Sequence, residues 1–286
     1  MRVDPGTYGA ILLGALFSAS LSGVFSVQCI IYFKNYPTDR KDLKAFVLFV
    51  WCLELIHTGL VWASIWDSFI ANFGNIGHVE YIPSTIALSV VLTAALTFLT
   101  HCLFAYRIYH LSQRNAYLTI LVLILALGRL ASASASGGLM IRLRSYPAFR
   151  HHFLWLFSMG LGLSCAVDIL ITLSLFYLLR QKRRQSIMLH SIIDSLILYA
   201  FEIGSLTSAA TVASMLCWVI LDNSLIFLGL HFVVGKLYAN SLLATLNARN
   251  KLRQVHSTAL DLMHLNLPHI TNTTIAYVSP VRGNEH

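Results

Sequence analysis

Apolar residues in this chain neither alternate nor form narrow stripes; they fill whole windows separated by short polar breaks. A bilayer core about 30 Å thick needs roughly 20 apolar residues at about 1.5 Å rise each. Seven stretches qualify, at 8–32, 44–66, 84–108, 117–140, 153–179, 194–220 and 224–246. The predicted fold is therefore all-α, an integral membrane bundle of seven transmembrane helices. Proline costs a helix interior a hydrogen bond and a clash, so its positions test this division independently. Pro5, Pro37, Pro83, Pro147, Pro268 and Pro280 all fall outside the proposed spans. Asp222-Asn223-Ser224 reads as a tight turn able to cap the seventh helix, and Ser191 with Asp194 as a capping box opening the sixth. The domain organisation expected is a short outer segment at 1–7, a transmembrane domain at 8–250 and a cytoplasmic tail at 251–286. The tail lacks a sustained apolar period apart from a short amphipathic piece at 260–267, and is expected to be largely disordered. The first apolar run is longer than the 7–15 residues of a signal-peptide core, so an uncleaved anchor is expected over a signal peptide cut near Ser22.

Composition agrees with the pattern. Of 286 residues 57% are apolar and 11% charged, with a mean hydropathy of +0.69, against roughly 25% charged in a typical soluble domain. Secreted disulfide scaffolds, disordered chains and ordinary cytosolic enzymes are excluded, since none could hide so much apolar surface with so few charges. The net charge of +8 raises nucleic acid as a partner, but the basic residues sit between apolar runs and form no polar face, so no nucleic acid is expected. Cys29, Cys52, Cys102, Cys165 and Cys217 all lie within predicted spans, so no disulfide staples the outer loops.

Lysine and arginine collect on one side, as cytoplasmic loops do. Loops one, three and five and the tail carry fourteen, while the other side has only Arg2, Arg142, Arg144 and Arg150. This places the amino terminus outside and the carboxyl terminus in the cytoplasm; plasma membrane and endomembrane are not distinguished. Arg180, Lys182, Arg183 and Arg184 at the inner end of span five would attract anionic inner-leaflet lipid, at about 1 kcal/mol per basic residue. The same cluster could contact a cytosolic signalling partner.

Ionisable groups in hydrocarbon cost at least roughly 2.5 kcal/mol each and normally face the bundle interior. Glu54, Arg129, Asp168, Glu202 and Lys236 lie about 12–18 Å from the inner ends of five different spans at helical rise, one layer near the midplane. His57, one turn beyond Glu54, joins them, while His101 and His231 are more scattered. The layer is either a structural device that fixes helix register or the lining of a ligand or ion site. Within it, Lys236 is expected to pair with Glu202 or Asp168. Lys236 also sits where a retinal Schiff-base lysine would, but span three has no carboxylate to act as counter-ion. No His-x-x-x-His pair falls in a span, and no nucleophile meets a base at useful spacing. The sequence therefore gives no catalytic residue, no metal and no cofactor, and predicts that the chain is not an enzyme. Small residues at 131–138, and Gly204-Ser205 with Ser208-Ala209-Ala210, predict close helix packing inside the bundle.

Lys236-Leu237-Tyr238-Ala239-Asn240-Ser241-Leu242-Leu243-Ala244-Thr245-Leu246-Asn247-Ala248-Arg249 resembles the closing motif of a basidiomycete fungal family of multi-pass membrane proteins of unknown function. Phe104-Ala105-Tyr106-Arg107-Ile108-Tyr109, His57 with Asn72-Phe73-Gly74-Asn75, and Asp168-Ile169-Leu170 resemble other parts of that family, over about 8–250. The resemblance implies seven spans and marks Arg107, Lys236, Tyr238, Asn240, Ser241, Asn247 and Arg249 as family positions; it implies no ligand, activity or partner. Glu202 departs from the family, which usually has an Asn-Thr-Gly type sequence there. Tyr106-Arg107-Ile108-Tyr109 lacks the acidic neighbour of rhodopsin-like receptors, and span seven lacks their Asn-Pro-x-x-Tyr signature.

Architecture favours a receptor-like sensor of a small or lipophilic ligand. A small-molecule carrier or channel with a midplane charged site, and a structural membrane scaffold, stand as alternatives.

Overall fold

The computed structural model of the chain describes residues 8–185, 190–221 and 224–266, with side chains described except at 76, 79, 182–200, 202–203 and 249–266. Seven helices make up the described residues: α1 (Tyr8–Asn35), α2 (Lys41–Trp66), α3 (Ser84–Leu111), α4 (Ala116–Leu143), α5 (Tyr146–Gln185), α6 (His190–Ile220) and α7 (Ile226–Asn266). A π-helical turn (Asp67–Ala71) and a 3-10 turn (Ile76–Glu80) join α2 to α3. Among the described residues six helices are long and apolar enough to cross a membrane, and the described apolar part of α6, Gly204–Ile220, is shorter. The chain is an integral multi-pass membrane protein.

The buried residues of α1 show why these helices need lipid. Ile11, Ala15, Ser18, Ser22, Phe25, Cys29 and Tyr32 follow a helical spacing of three or four and face the bundle. The opposite face is just as apolar: Phe17 is 64% exposed and Ile30 58%. A helix apolar all round has no stable home in water. Trp66 and Trp155 project from one end of the bundle, and Tyr117 and Tyr177 from the other, as interfacial aromatic belts do.

Each helix packs against its neighbours in sequence, and α7 closes the ring on α1. Both α3 and α7 also cross the middle, where α3 meets α5 and α7 and α7 meets α2. Burial follows from this. In α7 72% of the apolar window is buried, against 22% in α4.

Close approach depends on small residues, as expected in lipid. A Cβ on Gly204 would stand 1.9 Å from Thr172 Oγ1 and one on Gly137 2.5 Å from Val91 Cγ2, so both predicted stretches sit at helix contacts. The tightest backbone contact lies elsewhere, between Gly14 of α1 and Gly229 of α7, where an added Cβ would meet backbone at 2.4 Å.

Several boundaries differ from the sequence reading. Pro147 lies within the first turn of α5, where its missing N–H breaks no helical bond, and the helix bends at Phe153 (φ −130°, ψ 22°). Helix α7 runs on to Asn266, through the stretch expected to be disordered from residue 251. Leu252, Val255, Ala259 and Leu262 give this stretch a helical apolar spacing, and Pro268 disfavours helix in the residue before it. Residues 267–286 of the tail, the segment 1–7 and the side chains of Ser191 and Asp194 lie outside the described residues.

Helix ends are held by local bonds. Ser224 Oγ accepts the Ile226 N–H at 3.2 Å and so caps α7, while Asp222 and Asn223 of the expected turn lie outside the described residues. Asn115 Oδ1 caps α4 through the Tyr117 N–H at 3.1 Å. All five cysteines are free, and the connection between α2 and α3 is tied to that between α4 and α5 by backbone. Tyr81 and Ser145 form an isolated bridge, and the Ile82 N–H donates to the Arg144 carbonyl at 3.0 Å. Arg144 takes a left-handed conformation (φ 52°) to end α4, an arrangement costing about 1–2 kcal/mol for a residue with a Cβ. Its guanidinium donates to the Tyr81 hydroxyl at 3.3 Å.

Candidate functional site

Among the expected midplane residues with described side chains, two centres form instead of one layer. The first joins α2 to α7. Lys236 Nζ lies 2.9 Å from Glu54 Oε1, and neither side chain has any exposed surface. The ammonium donates to Thr58 Oγ1 at 2.7 Å and to the Glu54 carbonyl at 3.3 Å, which directs its protons away from solvent and toward α2. Thr58 in turn meets Ser22 Oγ at 3.0 Å, linking α1 to the pair. The partner of Lys236 is therefore Glu54, not Asp168. Helix α2 faces the side of α7 that carries Lys236, whereas Asp168 approaches from α5 on another side. The side chain of Glu202 lies outside the described residues, as do those of Arg249, Lys182, Arg183 and Arg184.

The second centre gathers α3, α5 and α7. Asp168 accepts the Tyr238 hydroxyl in a short hydrogen bond, and His101 Nε2 lies 3.2 Å from its other oxygen. Ser164 Oγ sits 2.9 Å from the same tyrosine hydroxyl. The His101 and Tyr238 rings meet edge to face at 5.5 Å. Arg129 of α4 reaches in with its guanidinium carbon 5.9 Å from the centre of the Tyr238 ring, a cation–π contact. Asp168 is its nearby countercharge, without a direct hydrogen bond. The first centre thus sets one carboxylate against one base, and the second sets Asp168 against both His101 and Arg129, so in each a buried carboxylate has basic partners.

His57 lies between the centres. Its Nε2 sits 3.0 Å from Thr93 Oγ1 of α3, and Lys236 and His231 are both within electrostatic range. His231 is buried, as are Nε and Nη1 of Arg129, with no partner for any of these nitrogens among the described residues. Such atoms call for internal water.

The two centres differ in access. Neither Glu54 nor Lys236 has any exposed side-chain surface, whereas the second centre borders a narrow pocket with room for about one water. Its walls come from α3 (His101, Phe104), α5 (Asp168, Ile171, Thr172, Leu175), α6 (Gly204, Thr207) and α7 (Tyr238, Ser241). Phe104 and Leu175 supply apolar surface beside the polar groups.

The α7 positions that the sequence resemblance marks divide by face. Lys236, Asn240 and Asn247 fall on one side at helical spacing and bind α2 and α1: Asn240 Nδ2 donates to the Leu21 carbonyl and Asn247 Nδ2 to the Gln28 carbonyl, both at 3.0 Å. Gln28 Nε2 returns a bond to Asn240 Oδ1 at 3.3 Å. Tyr238 and Ser241 fall on the opposite side, toward the pocket. Arg107 is half-buried near the end of α3 and takes part in neither centre. Arg180 is exposed, its guanidinium carbon 5.7 Å from the Phe176 ring. The sequence reading missed Tyr238 as a partner of Asp168, because a tyrosine in an apolar helix carries no charge signal; its place in the closing motif was the available hint.

Among the described residues no three His, Cys, Asp or Glu side chains converge to hold a metal ion. Residues 164–251 match a family of unknown function, DUF6534. That region contains Asp168, Lys236, Tyr238 and Ser241 but neither Glu54 nor His101. No curated protein and no solved structure matches the chain.

Proposed function

We propose that the chain is a receptor-like seven-span sensor of a small or lipophilic ligand, with its amino terminus outside and its carboxyl terminus in the cytoplasm. The observation that carries this reading is the pocket in which Asp168, His101 and Tyr238 face an unfilled space at the junction of four helices. A ligand there touches α3, α5, α6 and α7 at once, so its binding energy can bias how these helices pack. The lysine and arginine excess at one end of the bundle supports the orientation. It also offers anionic lipid or a cytosolic partner a surface at Arg180 and the residues that follow it. The resemblance to a basidiomycete fungal family and the seven apolar stretches of the sequence support seven spans. The chain acts without catalysis or cofactor in this reading, and Glu54, His57 and Lys236 hold the bundle together.

Purified protein in nanodiscs, screened by thermal stability against lipids, terpenoids, peptides and sugars, tests the reading, since any binder raises the melting temperature by mass action. A saturable shift that Asp168→Asn abolishes is the expected result. No shift across the panel contradicts it and favours a membrane scaffold; transport of a hit across proteoliposomes would favour a carrier instead.

A further inference from the structure

We infer that the lipid-facing side of α6 is the seam of a homodimer, in which the carboxyl group of Glu202 meets that of Glu202 in a second copy of the chain. The backbone register of α6 carries this. Its buried positions, Thr207, Thr211, Ser214 and Trp218, run along one side of the helix at a spacing of three or four, and Gly204 on that side packs on Thr172 of α5. At about 100° of turn per residue, position 202 falls almost directly opposite them. The residues three, four and seven places beyond it agree: Ser205, Leu206 and Ala209 are all exposed, Leu206 by 54%.

Depth makes that position costly for an acid. Ser214 Oγ donates to the Phe227 carbonyl at 3.2 Å, near the end of the bundle where α7 begins. Position 202 lies about 18 Å of helix rise from there toward the other end. At nearly the same level Gly204 and Thr207 stand beside Tyr238 and Ser241 of α7, close to the middle of the apolar Ile226–Ala248 stretch. An ionisable residue at mid-membrane needs a partner, and the polar groups of the bundle interior lie behind the helix.

The chemistry of the face selects a second copy as that partner. A two-fold axis along the membrane normal brings each residue of a shared face to its own counterpart at equal depth. In hydrocarbon the neutral form of a carboxylic acid is the cheaper one, and it is donor and acceptor at once, hence complementary to itself. Glu54, Arg129, Asp168 and Lys236 are all buried, so none of them offers a second copy an ion at this face. Ser205, Ala209 and Ala213 follow at four-residue spacing beside position 202, small side chains that let two helices approach closely in lipid.

The test uses full chains with a donor or an acceptor fluorescent protein at the carboxyl terminus, reconstituted together in phosphatidylcholine vesicles and read by FRET across protein-to-lipid ratios. Expected is saturable FRET above the level of random proximity. Glu202→Leu should weaken association by about fivefold to thirtyfold, the worth of a polar contact between helices in lipid. Glu202→Gln keeps a donor and an acceptor and should associate like the unaltered chain. Ala209→Ile, which blocks close approach on the same face, should weaken association as well, and it replaces Glu202→Leu should that variant fail to fold. Ala135→Ile on the exposed side of α4 should change nothing. FRET at the random level would assign the face to a different partner and overturn the inference. Full association in Glu202→Leu or Ala209→Ile, a Glu202→Gln variant as weak as Glu202→Leu, or loss in Ala135→Ile would each overturn it too.

Discussion

Glu54 and Lys236 meet with no exposed surface, whereas Asp168 meets His101 and Tyr238 on the wall of a narrow pocket. Both centres place a carboxylate in a membrane interior and both draw on α7, from opposite faces. The difference lies in what surrounds them. A closed ion pair ties α2 to α7, and α1 joins through Ser22 and Thr58. Desolvation makes such a pair a poor source of net stability but a costly one to break. An ion centre beside a pocket keeps groups within reach of an incoming molecule. Buried charge in a bundle thus reads as structure or as site according to the free space next to it, not according to its depth.

The largest expected effect comes from breaking the closed pair. Lys236→Met leaves Glu54 buried without its partner and should cost about 3–5 kcal/mol of unfolding free energy, while the double variant Glu54→Gln, Lys236→Met recovers most of it. A double-mutant cycle by denaturant titration checks this, and additive single effects would remove the closed pair from the account. Next, Tyr238→Phe deletes one hydrogen bond to a carboxylate on the pocket side and should cost about 1.5–3 kcal/mol. A loss equal to that of Lys236→Met would erase the contrast between the centres.

Much of this was legible from the sequence and some was not. Helix count and position followed from apolar windows, because a bilayer sets length so firmly. The depths of Glu54, Asp168 and Lys236 were also available, since helical rise fixes them. Which acid faces Lys236 was not, because axial counting carries no information about rotation. Asp168 and Glu54 have similar depths, and the side of α7 that each helix meets decides the pairing. The pocket was invisible for the same reason: it needs four helices in place. The Gly14–Gly229 approach went unread because Gly229 stands alone between Leu228 and Leu230, although Ala10, Gly14 and Ser18 recur at four-residue spacing along α1.

Two smaller effects sharpen the comparison from outside the centres. Gly229→Ala pushes α1 from α7 at a backbone contact that cannot yield, with an expected loss of about 1–3 kcal/mol. That loss should fall on the α1–α7 side and leave the Asp168 pocket competent, as binding of a screening hit by the variant would reveal. Ser224→Ala removes the cap of α7 and should cost about 1 kcal/mol, seen as a small drop in melting temperature. Neither centre touches Ser224, so a loss comparable to Lys236→Met would mean that α7 is set by its end more than by its charges.

The division between the centres is tested most directly by one melting experiment on three proteins: the unaltered chain, the Glu54→Gln, Lys236→Met double variant and Asp168→Asn, each with and without the best stabilising hit from the ligand panel. The account predicts that the ligand-induced shift survives in the double variant and vanishes in Asp168→Asn. A shift kept by Asp168→Asn and lost when the Glu54–Lys236 pair is neutralised would contradict it.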